Sequence, residues 1–325
     1  MRERDLDLNS DGFLESARES PLPVTLELAQ KGPKPWINVL LFILTVFTTT
    51  AAHGFFYSIP LLAILLSHEF GHYFLARKHG IKATLPYFIP APPYLPDGTP
   101  LFFLGTFGAL IKIRSPFYDR RALFDVGVAG PLAGAVVAIP VTLIGLYLSK
   151  IEPVPAHTSG FINLGSSLLF SLLGKLALGD LPQGYDIFLH PMALAGWVGL
   201  LVTSLNLIPV GQLDGGHIIY AMFGREKHKK LPKVIIPILT ILGILGLNGM
   251  ILKIWGVEES PILSFLETVG WPGWFLWVLI LLLMVRLGHP APVNPYTPLD
   301  RKRKILGWIS LILFILTFTP SPITI

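Results

Sequence analysis

The chain has 325 residues, 52% of them hydrophobic and 14% charged, and a mean hydropathy of +0.63, which excludes an ordinary soluble globular domain. It has no cysteine, which excludes disulfides, thiolate metal ligands and a cysteine nucleophile, so any metal must rest on His, Asp or Glu. The net charge of +5 sits in short basic loops beside apolar segments, a pattern of membrane topology rather than of nucleic-acid binding.

Residues 1–35 read as a polar N-terminal tail that mixes acids and bases. They lack both a charged region ahead of an apolar core and the acid-poor composition of a transit peptide, so the first span is expected to act as its own insertion signal. From 36 to 325 a single membrane-embedded domain is expected, because no stretch between apolar segments has room for an inserted soluble domain. A bilayer core of ~30 Å takes about 20 residues per helical crossing. Apolar runs centred on 36–54, 55–77, 122–149, 190–222, 232–254, 271–287 and 305–320 meet this, and predict an all-α polytopic membrane protein with about seven transmembrane helices.

Basic residues cluster at Arg77, Lys78, Lys82, Lys112, Arg114, Arg120 and Arg121, again from Arg225 to Lys233, and again from Arg286 to Lys304. The alternating stretches 150–189 and 255–270 carry acids in balance with or in excess of bases. With seven crossings this alternation places the N-terminus in the cytoplasm.

Between the second and third spans, Leu85 to Pro100 holds Pro86, Pro90, Pro92, Pro93, Pro96 and Pro100. Each proline removes a donor and restricts its predecessor, so an extended, non-helical loop is expected. Leu101 to Ile113 is glycine-punctuated, rich in strand formers and too short to cross, and predicts a re-entrant β-hairpin buried in protein or lining a wet cavity. The apolar run 161–178, interrupted by Lys175 and punctuated by Gly165, Gly174 and the following Gly179, reads as a surface-lying or partly inserted helix. His53, Trp271, Trp274 and Trp277 lie near span ends and are expected to anchor at the interface.

The second apolar run contains His68-Glu69-Phe70-Gly71-His72. Ionisable side chains at membrane depth are costly, so three in one turn call for a function. On a helix His68 and His72 project from one face and can share a zinc ion while Glu69 flanks a water, the H-E-x-x-H geometry of metallohydrolases. A catalytic zinc needs a third protein ligand and an open position. The metzincin position is occupied by Lys78. Asp97 and Asp119 lie in polar loops, and Asp125 starts a span beside Arg121. Asp214 instead follows a helix-breaking island, Leu205 to Leu213, where Pro209 and Gly211, with Gly215 and Gly216 beyond, are expected to unwind the span around a wet or protein-lined cavity. Asp214 is therefore assigned as the third ligand. His217 lies three residues on, but a fourth protein ligand would close the position that water requires.

His68 to His72, followed by Asn206-x-x-Pro209-x-x-x-x-Asp214-Gly215, resembles the paired motifs of the site-2 protease family of intramembrane zinc metalloproteases. Gly105-Thr-Phe-Gly-Ala109 and Ala129-Gly-Pro-Leu-Ala-Gly134 are similar to the branch of that family without a PDZ domain, which includes plastid and prokaryotic members. The likeness covers residues 55–222, the core of the domain. It implies one zinc ion on His68, His72 and Asp214, Glu69 as the catalytic carboxylate, and Asn206 in the substrate cleft. It further implies cleavage within or near transmembrane segments of membrane-anchored substrates. Gly130 and Gly134, with Ala129 and Ala133, form a small-residue face for close helix packing.

A metal-binding membrane protein or ion transporter is the alternative, since intramembrane His and Asp also mark ion pathways. A carrier, however, has no need of Glu69 at that spacing. The serine G-x-S-x-G pattern is absent, and Gly179-Asp180 lacks the earlier glycine of the aspartyl G-x-G-D pattern. The expected location is a prokaryotic cell membrane, with a plastid membrane the other candidate, and the expected partners are the lipid bilayer and a membrane-anchored protein.

Overall fold

The computed structural model describes residues 35–95, 101–154, 162–255, 261, 265–266, 269–288 and 291–324. The N-terminal tail to residue 34, Asp97, and most of the 255–270 segment lie outside the described residues. Helix α1 (Pro35–His53) opens on a proline, whose missing N–H costs nothing in a first turn. It ends at Gly54, whose φ of +80° hinges the chain directly into α2 (Phe55–Lys78). At ~1.5 Å per residue these helices are about 29 and 36 Å long. Helix α3 (Arg120–Tyr147) is longer still, and the Asp119 side chain caps its start by accepting the Ala122 N–H at 2.8 Å.

Among the described residues, three two-stranded antiparallel sheets interrupt the helices. β1 (Tyr87–Pro90) pairs with β2 (Thr106–Leu110), with Tyr87 opposite Leu110 and a bulge between Phe88 and Pro90. An antiparallel strand pair therefore lies between α2 and α3, but one of its strands comes from the proline-rich stretch read as a loop, and Leu101 to Ile113 supplies only the other. Pro90 sits at the strand end, where its missing donor breaks no ladder. Polar side chains of α1 and α2 tether this unit. Asn38 Nδ2 donates to the carbonyls of Leu85 and Pro86, both at 2.9 Å; the Thr48 hydroxyl donates to Gly105 O at 2.7 Å; and the Tyr57 hydroxyl donates to Leu104 O at 3.0 Å. His53 Nε2 lies 2.9 Å from Phe103 O, so His53 fastens the chain just before β2.

β3 (Lys150–Pro153) and β4 (Asn163–Leu164) precede α4 (Leu168–Leu178). At about 16 Å, α4 is too short to cross a bilayer. β5 (Tyr185–Phe188) pairs with β3 and leads into α5 (Pro191–Asn206). After the unwound segment 207–213 the chain resumes as α6 (Asp214–Phe223), then α7 (Arg225–Lys230), α8 (Pro232–Ile254), α9 (Trp274–Leu287), α10 (Arg301–Thr317) and β6 (Ile323–Thr324). The span expected over 190–222 is thus two helices around a break. Gly215 and Gly216 do not unwind it but lie inside α6, where a Cβ would stand 2.0 Å from Leu207 O and 2.4 Å from Gly211 O.

The fold is mostly helical. Among the described residues four helices are long and apolar enough to cross a membrane: Pro35–His53, Phe55–Lys78, Arg120–Tyr147 and Arg225–Leu252. The other expected crossings hold shorter helices. The main core joins α2, α3 and α5, with Tyr57, Leu61, Leu123, Phe124 and Leu146 fully buried. A second cluster, Ile208, Val210, Leu239, Trp274 and Leu281, joins the α8–α9 pair to the segment that precedes Asp214. Trp274 is fully buried, stacks on Phe318 and donates to Pro320 O at 2.6 Å, so it packs inside the protein.

A charged node fixes the ends of three elements. Arg303 grips Asp125 with Nε on Oδ1 at 2.7 Å and Nη2 on Oδ2 at 2.6 Å, and His79 Nε2 meets the same carboxylate at 2.8 Å. Asp300 caps α10 on the Arg303 N–H, and this bond holds its carboxyl below the usual range. Removing the guanidinium takes two hydrogen bonds from a largely buried carboxylate and leaves it His79. Arg303→Ala is expected to cost about 1–3 kcal/mol, read as a lower thermal midpoint of the detergent-solubilised protein.

Candidate metal centre

Helix α2 presents His68 and His72 one turn apart on its buried face, where they are 4% and 7% exposed. Glycines bring α3 against that face. A Cβ on Gly71 would lie 2.6 Å from Ala129 O, so the two backbones touch there. A Cβ on Gly130 would lie 2.1 Å from His72 Nε2, and one on Gly134 would lie 3.3 Å from His68 Nδ1. The small-residue face read from the sequence as helix packing therefore packs directly on the two imidazoles. His72 Nδ1–H donates to Val126 O at 2.7 Å, which leaves the Nε2 lone pair free to bind a metal.

Asp214 opens α6 at the end of the unwound segment. That segment is held from outside: His228 Nε2–H donates to Gly211 O at 3.1 Å, and Gln212 Nε2 donates to Gly288 O at 2.8 Å. Asp214 Oδ2 consequently stands 3.4 Å from His68 Nε2 and 3.3 Å from His72 Nε2, which are themselves 3.0 Å apart.

These distances test whether a zinc ion fits. Tetrahedral ligands at ~2.0–2.1 Å from zinc lie about 3.3–3.4 Å from one another. The three observed separations of 3.0, 3.3 and 3.4 Å match that triangle closely. Two imidazole nitrogens and a carboxylate oxygen also form a donor set that zinc accepts. The residues present therefore fit the group.

The centre opens on a cavity of about 230 Å³ whose wall includes Glu69, Ile111, Phe117, Asn206 and His217. Glu69 is 6% exposed, and the Ile111 backbone beyond the end of β2 hydrogen-bonds its carboxylate. Asn206, the last residue of α5, places Nδ2 3.2 Å from His68 Nε2. His217 lies one turn beyond Asp214, with its ring centroid 5.8 Å from that of Phe117.

The structure thus gathers His68, Glu69, His72, Asn206 and Asp214 around one cavity. It keeps Asp119 apart as a helix cap and Asp125 in the Arg303 node. Sequence reasoning missed Val126, Ile111, Gly71 and His228. The first two act through backbone groups that any residue carries, so no residue type could signal them. Gly71 lay inside the motif itself, and only the contact with Ala129 O reveals why it is glycine.

Residues 56–248 match peptidase family M50. The chain is 32% identical over 265 residues to a probable zinc metalloprotease, EGY1, chloroplastic, of Arabidopsis thaliana, covering 80% of this chain and 41% of that protein. It is 36% identical over 202 residues to EGY1 of Oryza sativa subsp. japonica, covering 60% and 31%. A third relative, the probable zinc metalloprotease EGY2, chloroplastic, of Oryza sativa subsp. indica, is 32% identical over 257 residues, covering 74% and 44%. The chain therefore spans less than half the length of these curated relatives. With the family matched over more than half of its residues, the chain belongs to peptidase family M50, the site-2 protease family of zinc metalloproteases.

Proposed function

We propose that this protein is an intramembrane zinc metalloendopeptidase that hydrolyses peptide bonds within or near transmembrane segments of membrane-anchored substrates. The observation that carries the reading is the convergence of two imidazole nitrogens and a carboxylate at zinc-ligand spacing beside a buried Glu69. His68, His72 and Asp214 would hold the ion. When bound, zinc supplies Lewis acidity, lowering the pKa of a water and polarising the scissile carbonyl. Glu69 takes the proton of the attacking water and returns it to the leaving nitrogen. The Ile111 backbone and the helix turn orient its carboxylate for both transfers. The Asn206 amide donates to the substrate backbone at the rim of the cavity.

A substrate helix hides its peptide bonds in internal hydrogen bonds and must be extended before attack. The β1–β2 hairpin ends beside Glu69, and the edge of β2 offers backbone groups to an extended segment. The hairpin is read as re-entrant, within a domain over 36–325 whose core is 55–222 and whose seven apolar segments cross with the N-terminus on the cytoplasmic or equivalent side. The location is a lipid bilayer. The named relatives are chloroplastic, so they lend no support to the prokaryotic cell membrane expected from the sequence.

Removal of zinc by a chelator is expected to stop cleavage of a single-span reporter in detergent, and stoichiometric zinc to restore it. Cleavage that persists in metal-free protein contradicts the reading.

A further inference from the structure

We propose that α7 and the first turn of α8 form a docking surface for anionic phospholipid headgroups, and that His228 couples this surface to the segment carrying Asp214. The coupling deepens the function proposed above and rests on Asp214 belonging to the hydrolytic centre.

Over 225–233 the chain places Arg225, Lys227, Lys229, Lys230 and Lys233 against the one acid Glu226. All five cations are exposed. Among the described residues none of the five is ion-paired, and Lys227 Nζ lies over the Phe223 ring at 5.3 Å. They lead straight into α8, whose Val234, Ile238 and Ile241 share one face and are 55%, 47% and 55% exposed. Such a face belongs against acyl chains, which sets the cations at headgroup level, where a run of four or more attracts anionic lipid. A topological role alone asks for the charges but not for what lies among them.

The exception within α7 is His228, which is 6% exposed and turned inward. It holds Gly211 O at 3.1 Å, three residues before Asp214, and its ring packs 5.8 Å from Tyr220 of α6. Gly211 has a φ of +61° and sits against Met284 of α9, so this turn has little freedom of its own. A headgroup that pins α7 therefore steadies His228, and with it the segment 207–213.

The test uses the 325-residue, zinc-loaded protein in nanodiscs of phosphatidylcholine alone or doped with phosphatidylglycerol. Retained lipid is measured by native mass spectrometry, order in 207–213 by hydrogen–deuterium exchange, and turnover with a single-span substrate. Wild type is expected to retain phosphatidylglycerol preferentially, to exchange more slowly at 207–213 in doped discs, and to cleave about ten-fold faster there. Lys229→Gln/Lys230→Gln/Lys233→Gln, with unchanged zinc content and melting midpoint, is expected to lose all three responses, and the corresponding triple change to Arg to keep them. His228→Gln is expected to keep the lipid and lose the slower exchange. Equal retention of both lipids overturns the docking surface, as does the same response to inorganic phosphate in phosphatidylcholine discs. Exchange at 207–213 that ignores the bound lipid overturns the coupling. Absence of cleavage in every disc would strike at the proposed hydrolysis alone, since retention and exchange are read without turnover.

Discussion

Glu69→Gln is expected to lower the cleavage rate by about 10²–10⁴-fold while leaving zinc content at the wild-type level. Glutamine has the volume and the acceptor oxygen of glutamate, so the hydrogen bond at Ile111 and the close packing around a side chain that is 6% exposed survive. It lacks only the ability to take a proton from water and return it to the leaving nitrogen. Because Glu69 points into the cavity and is not one of the three converging donors, metal affinity should not change with it. Zinc analysis paired with single-turnover cleavage separates the two properties. A variant that loses its zinc would move Glu69 from proton transfer to support of the metal site.

Gly130→Ala is expected to remove most of the bound zinc, and with it activity by about 10–100-fold or more. The added methyl would fall 2.1 Å from His72 Nε2, so the imidazole or helix α3 has to shift. Either shift also strains the 2.7 Å bond from His72 Nδ1–H to Val126 O, which lies on the same helix four residues earlier. Gly134→Ala meets His68 at 3.3 Å and should have a weaker effect of the same kind. Gly174→Ala, in α4 with nothing within 4 Å of the new Cβ, serves as the control and should leave zinc unchanged. Zinc titration against a chromophoric chelator ranks the three.

Much of the centre is legible in the amino-acid sequence alone. His68 and His72 share a helix face by spacing, and Pro209 with Gly211 marks a broken span at the depth where Asp214 is needed. Other features depend on partners distant in the chain. Tyr87–Pro90 becomes a strand only because Thr106–Leu110 lies beside it, with Asn38 holding its entry; local proline content argues for a loop. Gly215 and Gly216 look like helix breakers, yet their missing side chains let α6 settle on the carbonyls of Leu207 and Gly211. Trp274 looks like an interfacial anchor until Pro320 and Phe318, which reach it from the far side of α10, are seen to enclose it. The apolar runs indicate seven crossings, and among the described residues helix length and composition alone mark four of them, the other runs holding shorter helices.

The most direct test reconstitutes the zinc-loaded protein in a bilayer with a single-span substrate and maps the new termini by mass spectrometry. A cut at a peptide bond inside or at the edge of the apolar segment, lost in Glu69→Gln, is the expected result. Cuts confined to the soluble flanks, or an intact substrate beside fully zinc-loaded protein that a related enzyme cleaves in the same bilayer, would contradict intramembrane hydrolysis at His68, His72 and Asp214.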